Sequence, residues 1–328
     1  MRKLLSAAFA VAVASSVALF FQSAHAAWPD GPIELVMPTG PGSGASDEAR
    51  VVAAELRKPG FLGVPIKLVF KKGGGGNNAG IYVGQRKADG NTLMFMGGSF
   101  AGLFNMPHYT YKVDHFEIIV QFVTNFYAVG VSTKSQFKTM KDYLAYAKAN
   151  PSKLSMGSNK IASLHHRVQT ALFADAGVDV RFVPYKGTGK VVKDVIGGHL
   201  PSGIAQPGKW LPQMKAGKAR VLLVLDNERL NHPDFKDIPT PKELGLNFKI
   251  PVQFHAFMAR KGVPKDRLKK IQAAFKKVLK TEGFKKFLSH QPHVRVAYRD
   301  DVEQMNKDFR DSMVQARAFM VKHKILKK

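Results

Sequence analysis

Ile33-Glu34-Leu35-Val36-Met37, followed by Pro38-Thr39-Gly40-Pro41-Gly42-Ser43-Gly44-Ala45-Ser46-Asp47, is the stretch on which the fold turns. Its first five residues are a short apolar run stopped by proline and glycine, which predicts a strand. Val51, Val52 and Leu56 carry helical spacing over residues 47–56, with Ser46 or Asp47 as N-cap. Strand, glycine-rich loop and helix together open an α/β unit. Such a loop lets a ligand approach the main chain, and the helix behind it presents free N–H groups and a positive dipole end. An anion, carboxylate or phosphate, is the natural guest, although a plain tight turn fits the same residues. The loop is not G-x-G-x-x-G and gives little support to a dinucleotide.

The alternation continues outward. Residues 66–70, 92–96, 118–122 and 126–131 read as strands, and residues 79–87 as a weak helix. A clear helix over residues 140–149 is ended by Asn150-Pro151. Residues 180–183, 204–206 and 221–225 read as buried strands. The pattern predicts an α/β architecture with mostly parallel sheets. Towards the C-terminus, Leu268, Ile271, Phe275, Val278 and Leu279, then Val302, Met305, Phe309 and Met313, mark amphipathic helices with lysine outward. Packing on the parent domain is expected of them rather than on a membrane surface.

The chain has 328 residues, 45% of them hydrophobic, enough for about two domains. Zero cysteine excludes disulfides, thiolate metal sites and cysteine nucleophiles. Fifty Lys+Arg against 24 Asp+Glu give a formal charge of +26. Lysines recur along the whole chain and no arginine-rich arm stands out. Attraction of small anions is therefore expected rather than nucleic-acid binding. Met1-Arg2-Lys3, an almost unbroken apolar run to Phe21, and Ala24-His25-Ala26 read as a secretory signal over residues 1–26, cleaved after Ala26. The mature protein is expected to be soluble and periplasmic.

Three further loops have room for a ligand: Gly73-Gly74-Gly75-Gly76-Asn77-Asn78, Gly157-Ser158-Asn159-Lys160-Ile161-Ala162-Ser163, and Tyr185-Lys186-Gly187-Thr188-Gly189-Lys190. None ends as a P-loop does. Four consecutive glycines are entropically costly and suit a place where something lies close to the backbone. Catalytic patterns are scarce. H-E-x-x-H is absent, Gly97-Gly98-Ser99-Phe100 falls short of a nucleophile elbow, and adjacent His165 and His166 cannot share a helix face as metal ligands. No catalytic residue, metal or cofactor is expected.

Read in order, these blocks resemble the periplasmic substrate-binding proteins of tripartite tricarboxylate transporters, the Bug-type receptors. The resemblance rests on Trp28-Pro29-Asp30-Gly31-Pro32-Ile33, the loop Pro38 to Ser46, Gly73 to Asn77, and Ala88-Asp89-Gly90-Asn91-Thr92-Leu93. It continues through residues 143–151, Gly157 to His166, Val183-Pro184-Tyr185-Lys186-Gly187, Gly197-Gly198-His199, residues 215–218 and Asp237-Ile238-Pro239-Thr240. It implies a type II periplasmic binding-protein fold, two Rossmann-like lobes joined by a hinge, with the ligand cleft between them. Residues 27–125 plus 249–328 would form lobe one and residues 126–248 lobe two. The function implied is hinge closure on a small organic carboxylate, for delivery to membrane permease subunits.

Carried over residue by residue, the resemblance implies ligand contacts from Thr39, Gly42, Ser43, Ser46, Asn77 and Gly98 in lobe one. Lobe two would offer Ser158, Ser163, His166 and Tyr185. The chain departs from the family at Ala45-Ser46, where the family has Thr-Asp, at Ala205-Gln206 in place of Asp-Asn, and at Lys160 in place of glycine. Fewer negative groups and an added lysine point to a dicarboxylate rather than a zwitterionic amino acid, and add Lys160 and Gln206 to the expected site. The alternatives are a periplasmic hydrolase built on Ser163 and His166, and a polyanion- or nucleic-acid-binding protein.

Overall fold

The computed structural model describes residues 28–327. The signal-peptide reading of residues 1–26 lies outside the described residues. Two sheets organise the chain. The first contains β1 (Ile33–Met37), β2 (Ile66–Phe70), β3 (Thr92–Gly97), β4 (Phe116–Asn125), β10 (Gln253–Arg260) and β11 (Val294–Arg299), in the order β11-β4-β10-β3-β1-β2. The second contains β5 (Tyr127–Ser132), β6 (Ser155–Asn159), β7 (Arg181–Tyr185), β8 (Ser202–Ala205) and β9 (Ala219–Leu225), in the order β7-β6-β8-β5-β9. The chain crosses between them at Phe126 and again through residues 226–252.

Both sheets are mixed, not mostly parallel. β1 pairs in parallel with β2 and β3, while β10 and β11 run antiparallel to their neighbours. In the second sheet β6 is parallel to β7 and β8, and β5 is antiparallel to β8 and β9. The cause is the double crossing. β4 leaves the first sheet at the crossing, and β5, joined to it by a single residue, enters the second. The return strand β10 enters the first sheet at the crossing, Gln253 opposite Asn125, and so runs against β3 and β4 between which it lies.

Each sheet is covered on both faces, which is why its strands are apolar almost throughout. On one face of the first sheet lie α1 (Gly44–Leu56), α8 (Lys265–Val278) and α9 (Glu282–Ser289), whose Val52, Leu56, Ile271, Phe275 and Phe284 join Leu35, Phe95, Phe122 and Phe257. The stacked pair Phe122 and Phe257, with centroids 5.7 Å apart, is at its centre. The other face is covered by α2 (Asn77–Gly84), α3 (Phe100–Leu103) and α10 (Val302–Lys322), through Val83, Phe100, Met305 and Phe309. The second sheet packs α4 (Met140–Ala149) and α5 (Leu164–Asp175) on one face, and α6 (Thr188–Ile196) and α7 (Pro207–Lys215) with the buried Trp210 on the other. Fully burying one such aromatic or aliphatic side chain contributes about 1.5–3 kcal/mol. The C-terminal helices thus pack on the first lobe. No helix among the described residues is long and apolar enough to cross a membrane.

The lobes touch. Leu164 N–H donates to Ser99 Oγ at 3.3 Å, Arg167 Nη2 to the Gly98 carbonyl at 3.2 Å, and Gly208 N–H to His293 Nδ1 at 3.3 Å. Arg295 and Asp226 form an ion pair at 2.7 Å beside the second crossing.

Candidate functional site

A cleft of about 1100 Å³ lies between the lobes, and every glycine-rich loop singled out in the sequence reaches it. The loop after β1 is held by hydroxyls in series. Thr39 Oγ1 and Ser43 Oγ lie 2.7 Å apart, as do Ser43 Oγ and Ser46 Oγ, and Ser46 Oγ donates to the Gly40 carbonyl at 2.6 Å. Ser43, rather than Ser46 or Asp47, is the N-cap of α1 and accepts from Ser46 N–H. The helix therefore begins three residues earlier than its apolar spacing predicts. The four glycines after β2 all have positive φ, from +53° to +119°, a region that residues with a Cβ avoid. A Cβ on Gly76 would also lie 2.8 Å from the Phe100 ring. This loop leads into α2 and lines the cleft through Gly73, Gly74 and Gly75.

From the second lobe come three helix N-termini. Ser163 caps α5 and accepts from His166 N–H. Neither α6, entered through Gly187, nor α7, entered through Gln206 with Pro207 at its first position, has a side-chain cap bond. The first N–H groups of α6 remain available at the cleft, as an anion requires, whereas in α7 Pro207 has none and Gly208 N–H is taken by His293 Nδ1. Lys72, Lys160, Lys186, Lys190 and Lys209 line the cleft, and no aspartate or glutamate does. Burial pulls the Lys160 ammonium below its usual range, so that charge is poorly solvated and available for pairing.

The cleft floor lies where the chain crosses between lobes. Asn125, Tyr127, Gln253 and His255 are there, with the His165 ring tilted against Tyr127 at 3.8 Å between centroids. His165 is 3% exposed, and neither ring nitrogen has a partner. Burial, then the nearby Lys160, holds its pKa down to about 3, so the ring is neutral. Asn125 Oδ1 and Gln253 Oε1 are likewise buried and unpartnered. His255 Nδ1 lies 2.7 Å from the carboxylate of Glu48, which is buried behind the lining. Buried polar groups without partners are costly, and a ligand in the cleft would supply them.

Of the residues expected at the site, the structure brings Thr39, Gly42, Ser43, Lys160, Ser163 and Gln206 to the cleft lining. The other six sit behind it. Ser46 is fully buried beneath its own loop. Asn77 braces the following segment, its Oδ1 accepting from Thr110 N–H at 3.0 Å. Gly98 faces away, and a Cβ there would meet the Val252 carbonyl at 2.6 Å. Ser158 is enclosed within β6. His166 stacks on Phe182 at 3.7 Å and its Nδ1 accepts from Ala162 N–H, so no Ser163–His166 nucleophile–base pair is formed. Tyr185 donates to Asp194 at 2.8 Å and not to the cleft. Sequence reasoning missed Asn125, Tyr127, Gln253, His255, Lys72 and Lys209. The first four stand at strand ends where the two crossings meet, which no local pattern marks.

The chain matches the model of the "tripartite tricarboxylate transporter family receptor" over residues 48–324. It is 30% identical over 239 residues to "Protein BugT" of Bordetella pertussis, covering 72% of each chain. It is similar to a solved "periplasmic transporter" at 26% identity and TM-score 0.79, over 91% of this chain and 99% of that one. A third relative, an R. palustris protein solved with adipate, shares the fold at 20% identity and TM-score 0.79, over 89% of this chain and 97% of that one. The type II binding-protein architecture, with two sheets, two crossings and a cleft between them, is common to these proteins. With the family model spanning most of the chain, the protein belongs to the tripartite tricarboxylate transporter receptors, of the Bug type.

Proposed function

We propose that the protein is a periplasmic receptor that closes its two lobes on a small dicarboxylate and presents it to the membrane subunits of a tripartite transporter. The observation that carries the reading is the charge of the cleft: five lysines line it and no carboxylate does. One carboxylate would rest on the loops of the first lobe and Lys72. The other would rest on Lys160, Lys186, Lys209 and the uncapped start of α6. A zwitterionic amino acid would place its ammonium among these lysines, which disfavours it. The adipate seen in a protein of the same fold supports a dicarboxylate of that size.

We take the lobe boundaries at residues 125/126 and 248/249, close to where the chain passes between the sheets. Closure follows because only the closed form lets both lobes touch the ligand. The basic surface serves attraction of the anion, and nucleic acid has no part in this reading. The leader of residues 1–26 would deliver the chain to the periplasm. A thermal-shift panel of mono-, di- and tricarboxylates, amino acids and a short oligonucleotide tests the reading. At about 100 times its Kd a ligand adds about 2.7 kcal/mol, a rise of roughly 5–10 °C for a chain of this size. The rise is expected with a few dicarboxylates. A response to amino acids or the oligonucleotide alone would contradict it.

A further inference from the structure

Behind the cleft lies a second cavity of about 420 Å³, within the range of small-molecule sites. Its walls come from both lobes and from the hinge. Leu164, Arg167 and Ala171 form one stripe of α5, Met305, Phe309 and Phe319 lie on α10, and residues 249–252 close it. Alternation puts the same segments on both cavities. Gly97 and Ser99 face the cleft while Gly98 faces this cavity, and Gln253 and His255 face the cleft while Val252 and Phe254 turn back. The two spaces are therefore back to back, with a shared wall that crosses the hinge.

The lining is mostly apolar, and its charges are not equivalent. Asp308 is held by Arg299 at 2.6 Å and by Gln304 at 2.7 Å. Lys249 is exposed at the rim. Arg167 is 7% exposed, its Nε has no partner, and its one hydrogen bond is the 3.2 Å donation from Nη2 to the Gly98 carbonyl. A buried guanidinium without a carboxylate is expensive unless an anion joins it. Burial lowers its pKa to about 10, so it still carries its charge at neutral pH.

We propose that this cavity is a second ligand site, for an aliphatic monocarboxylate whose head pairs with Arg167 and whose chain lies along Ala171, Phe254, Met305 and Phe309. The occupant touches both lobes and the hinge segment. Its binding is therefore linked to the angle between the lobes, and through that angle to the cleft.

Octanoate is the probe, titrated calorimetrically into the purified protein with the cleft saturated by the dicarboxylate that binds best, or empty if none binds. Octanoate is expected to bind under both conditions, and to bind at least about tenfold more weakly to Arg167→Met, as loss of a charged hydrogen bond implies. Ala171→Phe, which fills the cavity and leaves the cleft lining intact, is expected to abolish octanoate binding while retaining the wild-type far-UV spectrum. Octan-1-ol binding as tightly as octanoate would overturn the role of Arg167. Octanoate binding unchanged by Ala171→Phe, displaced by a dicarboxylate, or absent altogether would overturn the site.

Discussion

In the function proposed here, ligand choice depends most on Lys160. It is half-buried, it stands in the loop leading into α5, and its neighbour His165 is neutral and unpartnered. Lys160→Ala is expected to weaken dicarboxylate binding by about tenfold or more, as loss of a charge-assisted contact does, and to affect a monocarboxylate less. Calorimetry on matched mono- and dicarboxylates checks this. The buried histidines set the pH response. Burial holds His165 to about 3, His166 to about 4 and His293 to about 3, with Lys160 also acting on His165 and with His255 and then Lys209 on His293. In the unfolded chain each takes a proton near pH 6.5. Between pH 6.5 and about 4 the unfolded state binds more protons, so the stability held above pH 6.5 is lost as pH falls. The melting temperature is expected to drop on the order of 10 °C from pH 7 to pH 4.5. His293→Gln should flatten the profile.

The elements bring backbone N–H groups to the cleft, and glycine makes that possible. Gly76→Ala places a Cβ at φ +119° and 2.8 Å from Phe100. It is expected to cost about 1–3 kcal/mol and to disturb the Gly73–Gly75 wall, seen as a lower denaturant midpoint and a weaker ligand. Much of this level was legible in the sequence. The strand–loop–helix at residues 33–56 and the glycine run announced main-chain approach to a ligand, and the helix Met140–Ala149 lies where its periodicity put it. β11 was not legible, because Val294-Arg295-Val296 alternates over too few residues to stand apart from a loop. Orientation was not legible either. Gly98 and Ser99 are neighbours, yet one lines the rear cavity and the other the cleft, which depends on how β10 passes them. Tyr185 and Asn77 belong to the right loops but spend their polar atoms on Asp194 and Thr110.

At the scale of the molecule, function rests on two lobes that meet through few contacts. Gly102 in α3 lies against the Ala162 carbonyl of the second lobe, and a Cβ would collide with it. Gly102→Val is expected to hold the lobes apart, lowering dicarboxylate affinity at least tenfold while each lobe stays folded. Small-angle scattering would show the larger radius. The two crossings explain how this architecture concentrates Asn125, Tyr127, Gln253 and His255 on one floor, far apart in sequence and adjacent in space. The account comes down to a lysine-lined cleft that selects doubly charged acids, and calorimetric titration of the purified protein with adipate, malate, octanoate and glutamate tests it most directly. It predicts that a dicarboxylate binds at one site per chain, and that Lys160→Ala weakens this binding about tenfold or more. Glutamate binding more tightly than either dicarboxylate, or dicarboxylate binding indifferent to Lys160→Ala, would contradict it.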